Sequence, residues 1–283
     1  MNSKSRIISF NCQSFNKKRV IIDSLLQECD IICLQETFIT DHNNHSYDNL
    51  NTNFVGNYTS ADRKPGQVAG RSTAGLAIFW RSSLNLNCNT IKFSDRIMGL
   101  NIKTNNFNYL LLNVYCFCDY DNDESLLNYS SMLADLSNIS RSLDYDEVLI
   151  IGDFNADPNK GRFFRELNLF LSNNSMYAND INSLPNASYA YISPNSICGT
   201  SFINHAIASR VDLTCNHKVI YGYTFYDHVP IYCELNIPHV LESNNTKFFQ
   251  PAVSNLVAWD KIDDEMKIKY YHDLENMAVT NLG

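Results

Sequence analysis

The segment Ile150–Pro158 (IIGDFNADP) begins as an apolar run and ends in polar residues, among them Asp153 and Asn155. Residues two apart on an extended strand point to the same side, so this acid and this amide face one spot. Each could also be an ordinary turn residue. Four other predicted strands end in polar groups, which are Asn11, Glu36, Asp212 and the pair Asp227-His228. Together these acids, amides and an imidazole form a set that suits one reaction.

That reaction is the metal-assisted hydrolysis of a phosphate ester. A divalent cation such as Mg²⁺ needs hard oxygen ligands, and Glu36 supplies one carboxylate. The attacking water needs a base, and the charge that develops on the phosphoryl oxygens needs cations or hydrogen-bond donors. Residues suited to these tasks are Asp153, His228, Asn11 and Asn155, with Asp212 as a carboxylate that could orient the imidazole.

Hydrophobic periodicity predicts the elements that must position these residues. Helices are predicted at about Asn16–Glu28, Asp123–Ile139 and Gly161–Leu171. The predicted strands are Arg6–Phe10, Asp30–Gln35, Ala74–Trp80, Gly99–Lys103, Tyr109–Tyr115, Glu147–Gly152, Val211–Cys215 and Val229–Leu235. Strands outnumber helices and both are spread along the chain, which favours an α/β sandwich with mixed sheets over a purely parallel doubly wound fold.

The predicted domain comprises residues 1–237, and the texture of the sequence changes at Pro238. Residues 238–283 are predicted to form a linker followed by a charged amphipathic helix at Asp260–Met277. This tail is too short to bury a core of its own.

Composition narrows the class of protein. The 283 residues are 45% hydrophobic, which is enough for a substantial core. The apolar runs fall far short of the ~20 residues that a membrane span needs, and we expect neither a membrane partner nor a secretory signal. Nine scattered cysteines without a CxxC pair favour small core residues in a reducing, intracellular environment.

The net charge of −8 argues against a protein that coats nucleic acid by bulk electrostatics. It is compatible with a nuclease, because a metal-binding cleft needs acids and local cations can still hold phosphates. Three basic groups are available, and we predict that at least two flank the cleft and contact DNA. They are Lys17–Arg19, the group from Arg63 to Arg71, and the group from Lys160 to Arg165 that includes Arg162.

The order of the motifs resembles the endonuclease/exonuclease/phosphatase superfamily over about Arg6 to Ile237. The motifs are Asn11, LQET with Glu36, NVY with Tyr115, GDFN with Asp153 and Asn155, SRVD with Asp212, and YDHVP with Asp227 and His228. The resemblance implies a DNase I-like fold, a four-layered α/β sandwich with two mixed β-sheets packed face to face. It also implies Mg²⁺ as the cofactor, for which Mn²⁺ would substitute.

The resemblance further implies a role for each matching residue. Asp153 would be the base that activates water, and Asn155 would help to position the water and the phosphate. Glu36 would be the principal metal ligand, with Asn11 and Asp227 nearby.

Three other residues would act on the phosphate and the DNA groove. His228, paired with Asp212, would stabilise the charged phosphoryl oxygens, and Tyr115 would contribute a hydroxyl there. Cleavage would leave a 5′-phosphate and a 3′-hydroxyl. The loop 193–208, with Phe202, would be a hairpin that probes the minor groove of DNA; a plain connecting hairpin is the alternative.

Within the superfamily, the chain is similar to the apurinic-endonuclease-like domain of non-LTR (LINE-type) retrotransposons. LQET, AGLAIFWRSSL, NVY, GDFNADP and the tail around Trp259 and Tyr270-Tyr271 carry this similarity. It implies a domain that nicks double-stranded DNA in the nucleus, so that the 3′-hydroxyl primes synthesis by a reverse transcriptase domain in cis.

The chain also departs from the family's pattern. Gln13 stands where repair enzymes of the family often have an acid, Cys116–Cys118 follows Tyr115 where a proline is common, and Tyr226 replaces a serine before Asp227. Two alternatives stay open: an enzyme of the same scaffold that acts on a non-DNA phosphoester, and an inactive copy that binds DNA. Plasmid nicking distinguishes the main prediction from both.

Overall fold

The strands of the protein form two six-stranded sheets in a computed structural model, which describes residues 4–40, 50, 52–61, 74–84, 87–104, 107–142, 145–193, 199–223 and 227–236. In spatial order, sheet 1 contains β13 (Thr214–Val219), β14 (Ile231–Asn236), β1 (Lys4–Asn11), β2 (Ile31–Gln35), β4 (Ala77–Arg81) and β3 (Phe54–Tyr58). Sheet 2 contains β5 (Asn87–Lys92), β6 (Ile97–Lys103), β7 (Asn108–Tyr115), β8 (Glu147–Asp153), β12 (Asn204–Ala208) and β9 (Tyr177–Ala178).

The remaining elements are a short ribbon and the helices. The ribbon pairs β10 (Tyr191–Ile192) with β11 (Thr200–Ser201). The helices are α1 (Arg19–Glu28), α2 (Asp123–Ser142), α3 (Gly161–Asn174) and α4 (Asn179–Ser183), with 3₁₀ turns at Ser82–Leu84 and Tyr221–Tyr223.

Alternating side chains place the sheets face to face between helices. On β8, Leu149 and Ile151 join the core between the two sheets, whereas Val148 and Ile150 pack with α2 and α3. Sheet 1 repeats this pattern, because its alternate side chains divide between the central core and the core under α1. The order of layers is therefore helix, sheet, sheet, helix, which confirms the predicted four-layered sandwich.

The helices are held by apolar stripes at helical spacing. Phe163, Leu167 and Phe170 of α3 are buried against sheet 2, and the helix ends at Ser175 in a left-handed conformation whose N–H caps two carbonyls. Each fully buried side chain of this size contributes about 1.5–3 kcal/mol relative to exposure. The stripes therefore fix how the helices cover the sheets.

A polar contact crosses the apolar core between the sheets. The Nε2 of Gln35 on β2 donates to the Oδ1 of Asn113 on β7 over 2.7 Å, and both residues are fully buried. The Nδ2 of Asn113 in turn donates to the carbonyls of Leu34 and Ala77 at 2.9 and 3.0 Å. Because such groups are costly to leave unpaired, the contact favours one alignment of the two sheets.

Each sheet contains one parallel pair among otherwise antiparallel strands. β1 runs parallel to β2, with Asn11 opposite Gln35. β7 runs parallel to β8, with Tyr115 opposite Asp153. Parallel strands end at the same edge of a sheet. The polar residues at the ends of β1 and β2 therefore form one group in sheet 1, and those at the ends of β7 and β8 form a second group in sheet 2.

Most predicted strands and helices overlap observed ones, but Val211–Cys215 is largely wrong. β13 starts only at Thr214, and residues 211–213 form a turn and bend. Val211 is 59% exposed, so its apolar side chain does not belong to a buried strand. The strands that the sequence did not predict are β3, β5, β9, β10, β11 and β12. In β12, the asparagine, histidine and alanines have weak strand propensity yet are all buried.

All described residues belong to one unit, Met1–Glu242, and Ser243–Gly283 is assigned to a second. The predicted boundary at 238 and the helix Asp260–Met277 lie outside the described residues. Among described residues, no helix combines the length and apolar character that crossing a membrane requires. The cysteines in these ranges are free.

Candidate active site

Asn11 links the ends of the two sheets. Its side-chain Nδ2 donates to the Oε1 of Glu36 at 2.7 Å and to the Oδ2 of Asp153 at 2.9 Å. Only 1% of Asn11 is exposed, and its Oδ1 accepts the backbone N–H of Gln13 at 3.3 Å. The amide therefore holds two carboxylates from different sheets beside each other, and its donor group faces the acids.

Asp153 is the most enclosed acid of this group. It is 1% exposed, and its Oδ1 accepts the backbone N–H of Asn155 at 3.0 Å. Burial raises the pKa of Asp153 above its ordinary value, although the charge of His228 and the hydrogen bonds from Asn11 and Asn155 oppose the rise. A buried carboxylate with a raised pKa is suited to accepting a proton.

The glycine before this acid allows the strands to come close. Gly152 has a φ of +152°, and a Cβ atom there would lie 2.1 Å from the carbonyl oxygen of Val114 on β7. A larger residue would push β8 away from β7 and move Asp153. The close approach of β7 and β8 therefore requires the glycine of the GDFN motif.

Left-handed backbone follows the strand ends at the site. Glu36 and Asn155 both have a φ of +50°, as Gln13 does at +45°. Such conformations are uncommon for residues other than glycine and cluster at functional sites. The turn at Asn155 is held by its Nδ2, which donates to the carbonyl of Cys116 at 2.9 Å. This amide supports the loop after Tyr115.

His228 enters the site from the approach to β14. It is 5% exposed, and its Nδ1 lies 3.9 Å from the Oδ2 of Asp153. The backbone bridges to Tyr191 of β10, whose ring centroid lies 4.9 Å from that of the imidazole. The ribbon thus fixes the histidine at the edge where the acids meet.

Glu36, Asp153 and His228 could together hold a metal ion, because one ligand atom from each lies within 4.8 Å of the others. Two carboxylates suit a hard divalent cation, and a cation would also stabilise the ionised form of buried Asp153. The residues present therefore fit the implied ion. Asp227 is not in this group; its Oδ2 accepts a hydrogen bond from the Nε2 of Gln13 at 2.7 Å.

Tyr115 is buried beside the acids, and Arg96, which was not among the predicted site residues, packs on its ring. Burial, followed by the charge of Glu36, raises the pKa of the Tyr115 hydroxyl well above its ordinary value, so it stays protonated and can donate. The guanidinium of Arg96 lies 4.7 Å from the Tyr115 ring and 4.2 Å from that of Phe117. A lone arginine in a turn gives no sequence signal of this contact.

The predicted pairing of Asp212 with His228 is wrong. Asp212 lies in a turn, its side chain is 76% exposed, and its carboxylate pairs with the guanidinium of Arg210. The cause is the shifted strand: β12, rather than residues 211–215, lies beside β8. The residue opposite Asp153 in that register is Asn204.

The predicted DNA-binding cations have different environments. The Nζ of Lys160 contacts the Thr200 carbonyl and the Ser201 hydroxyl, both at 3.1 Å, while its side chain stays 60% exposed. Arg162 is engaged with Asp119, its Nη2 lying 2.6 Å from Oδ1, and its side chain is 19% exposed. Arg71 lies outside the described residues.

Phe202 does not protrude as a groove probe. It is 6% exposed, belongs to the core between the sheets, and meets the ring of His205 edge-on at a centroid distance of 5.1 Å. The prediction for Phe202 is therefore wrong. The residue leads into β12, a strand inside sheet 2, instead of forming the tip of a hairpin.

The protein is a four-layered sandwich, and acids, an amide and an imidazole come together where its two sheets meet. This combination of fold and site is typical of one class of phosphoesterases. The model of the Endonuclease/Exonuclease/phosphatase family matches residues 8–232, and the chain belongs to this family. No curated protein sequence matches the chain.

Solved structures share the fold at low sequence identity. The AP endonuclease of Leishmania major is 12% identical, with a TM-score of 0.67 over 83% of this chain and 88% of that one. A Neisseria 3′ phosphatase, NExo, bound to a product DNA hairpin is 14% identical, with a TM-score of 0.62 over 82% and 100%. The endonuclease domain of TRAS1, a telomere-specific non-LTR retrotransposon, is 14% identical, with a TM-score of 0.60 over 83% and 99%.

Proposed function

We propose that the chain is a metal-dependent DNA endonuclease that nicks one strand and leaves a 3′-hydroxyl for target-primed reverse transcription. The observation that carries this proposal is the double hydrogen bond of Asn11 to Glu36 and Asp153, with His228 beside them. It brings two acids, a donor amide and an imidazole to one spot. These are the groups that hydrolysis of a phosphodiester requires.

The proposed chemistry assigns a task to each side chain. Glu36, with Asp153 and His228 as neighbouring donors, would hold Mg²⁺ or Mn²⁺, which when bound supplies a Lewis acid for the phosphate. Asp153 accepts a proton from the attacking water, a task that its raised pKa suits. The hydroxyl of Tyr115 donates a hydrogen bond to a phosphoryl oxygen, and His228 stabilises the negative charge that develops on the phosphoryl oxygens.

DNA is the proposed substrate because relatives in fold include an enzyme bound to a DNA hairpin and a retrotransposon endonuclease domain. The exposed ammonium of Lys160 lies on the loop that follows the Asp153 turn, and it would contact the flanking backbone. The retrotransposon motifs of the sequence support a reverse transcriptase domain in cis, a linker role for residues 238–283, and action in the nucleus.

A supercoiled plasmid tests the function. We expect the wild-type protein to convert it to the nicked form with Mg²⁺ and to stop when EDTA removes the ion. Asp153→Ala should abolish nicking, whereas Asp212→Asn, a change at an exposed acid outside the site, should leave it within about twofold. Ends should carry a 3′-hydroxyl that a polymerase extends.

Two results would contradict the proposal. If Asp153→Ala nicks DNA at the wild-type rate, Asp153 is not the base that activates water. Release of phosphate from a small phosphoester, with no nicking of plasmid by the same preparation, would replace DNA with another substrate of this scaffold.

A further inference from the structure

A serine and a histidine outside the candidate active site form a close pair. Ser183 at the end of α4 is exposed, and its Oγ lies 2.8 Å from the Nδ1 of His217 on β13. A second contact of the hydroxyl, with the carbonyl of Asp180, is longer at 3.3 Å. The imidazole is therefore the nearer partner of the serine.

The backbone of β13 is irregular at this histidine. The register between β13 and β14 shifts between Cys215 and Lys218, and Asn216 has a left-handed φ of +52°. A bulge in a strand changes the direction of a side chain, and left-handed backbone at a residue other than glycine is strained. The irregular backbone thus lies directly beside His217, whose ring reaches α4 from an edge strand of sheet 1.

The other nitrogen of the ring is also held. The Nε2 of His217 lies 3.1 Å from the Oγ1 of Thr214, which accepts a hydrogen bond from the Nδ2 of Asn179 at 3.1 Å. A hydroxyl oxygen accepts up to two hydrogen bonds, so Nε2 carries the proton and donates to Thr214. The lone pair of Nδ1 then faces the Ser183 hydroxyl, which donates to it. A nucleophile, its base and a third group that orients the base have this arrangement.

The surroundings keep the imidazole neutral and ready to accept a proton. Burial lowers the pKa of His217, and the charge of Asp180 opposes that effect. Asp180 is 2% exposed; its Oδ2 pairs with His205, and its Oδ1 is buried without a hydrogen-bond partner among the described residues. A buried carboxylate near the ring stabilises the imidazolium that forms when His217 takes the serine proton.

We propose that Ser183 is a nucleophilic acyl-acceptor site that reacts with esters of carboxylic acids, with His217 as its base. The Oγ of Ser183 attacks the ester carbonyl while its proton passes to the Nδ1 of His217. The bond between the carbonyl carbon and the leaving oxygen then breaks, and the leaving oxygen takes that proton from His217. Ser183 is left as an O-acyl ester, and the step requires no oxidant, metal or cofactor.

Acetylation by p-nitrophenyl acetate tests the site on the full chain. Mass spectrometry of the protein and its peptides should show one acetyl group on Ser183, and hydroxylamine should remove it because it is an ester. We expect His217→Gln to lower the rate of acetylation at Ser183 by at least about 100-fold, the usual contribution of a general base. Ser183→Ala should leave this peptide without the acetyl group.

Ser172 is the internal control, since it is an exposed serine of α3 whose hydroxyl donates to the Asn168 carbonyl instead of an imidazole. Its acetylation should be slow and equal in the wild type and in His217→Gln. Equal rates at Ser183 and Ser172 in the wild-type protein would overturn the proposal, and this comparison needs no variant. Acetylation of Ser183 that His217→Gln does not slow would overturn it as well.

Discussion

The side-chain amide of Asn11 lies 2.9 Å from the carboxylate of Asp153, although 142 residues separate them in the sequence. Asn11→Ala should remove this hydrogen bond and the one to Glu36, so the two acids repel each other and bind a metal less tightly. We expect the Mg²⁺ concentration for half-maximal nicking to rise by about 10–100-fold.

Asn179→Ala is the control for that change. Asn179 is also buried and also donates two hydrogen bonds, to the carbonyl of Val211 and the hydroxyl of Thr214 at 2.9 and 3.1 Å, but outside the site. It should reduce stability and leave the Mg²⁺ requirement unchanged. Equal Mg²⁺ requirements in the two variants would show that Asn11 serves only the fold.

Phe202 should matter for stability before it matters for DNA. Phe202→Ala leaves a cavity in the core between the sheets, which should cost about 3–5 kcal/mol in the free energy of unfolding. Urea denaturation measures this loss. Tyr120→Ala, at a side chain that is 74% exposed, should change stability by only about 0.5 kcal/mol. A stable Phe202→Ala protein with altered nick positions would restore the groove-probe role.

His205 should make stability depend on pH. Its Nδ1 and Nε2 lie 3.0 and 2.7 Å from the Asp180 carboxylate and the Ala156 carbonyl. Both partners only accept, so the ring donates twice as an imidazolium. Burial lowers the pKa of His205, but the charge and hydrogen bond of Asp180 and the Ala156 carbonyl outweigh burial and leave the pKa raised.

Because the pKa of His205 is higher in the folded than in the unfolded protein, its stabilisation is complete below the unfolded value. It is lost as pH rises through the folded value. Urea unfolding from about pH 6 to pH 9 should therefore show a fall that His205→Gln removes. His217→Gln should retain the fall, because burial lowers the pKa of His217. An unchanged slope in His205→Gln would refute the assignment.

Lys160 and Arg162 should differ in DNA binding. Lys160→Ala removes a cation that is 60% exposed and lies 3.7 Å from the Asp157 carboxylate, a longer ion pair than that of Arg162, so the slope of log affinity against log salt should become shallower by about 1. Arg162→Ala removes a guanidinium that pairs with Asp119, and it should change the slope less. Binding to a short duplex at several salt concentrations measures both. Equal effects would mean that Arg162 leaves Asp119 to contact phosphate.

The sequence predicted the site best where a residue sits at the end of a strongly apolar strand. Asp153 ends such a run, and it lies beside Glu36 and His228. Asn155 lies beyond the end of β8, in a left-handed turn, so the two-residue period of a strand does not extend to it. Glu36 was also placed correctly, because it follows a buried strand that pairs with β1.

The failures have physical causes. The prediction for Asp212 rests on the strand-like residues of Val211–Cys215, but the charges of Arg210 and Asp212 pair in a solvent-exposed turn. No sequence pattern marks Asn204, because β12 contains residues with weak strand propensity and its burial depends on pairing with β8 and β9. Such pairing is set by tertiary structure and leaves no local pattern.

The first strand of the protein lies between β14 and β2, and this has a consequence for synthesis on the ribosome. Ile231 pairs with Ser9, so sheet 1 stays incomplete until the chain has been made almost to Asn236. His228 arrives just before that strand. A nascent or truncated chain that ends before this strand therefore lacks the imidazole and the strand that pairs with the Asn11 strand, and the groups of the candidate site cannot yet come together.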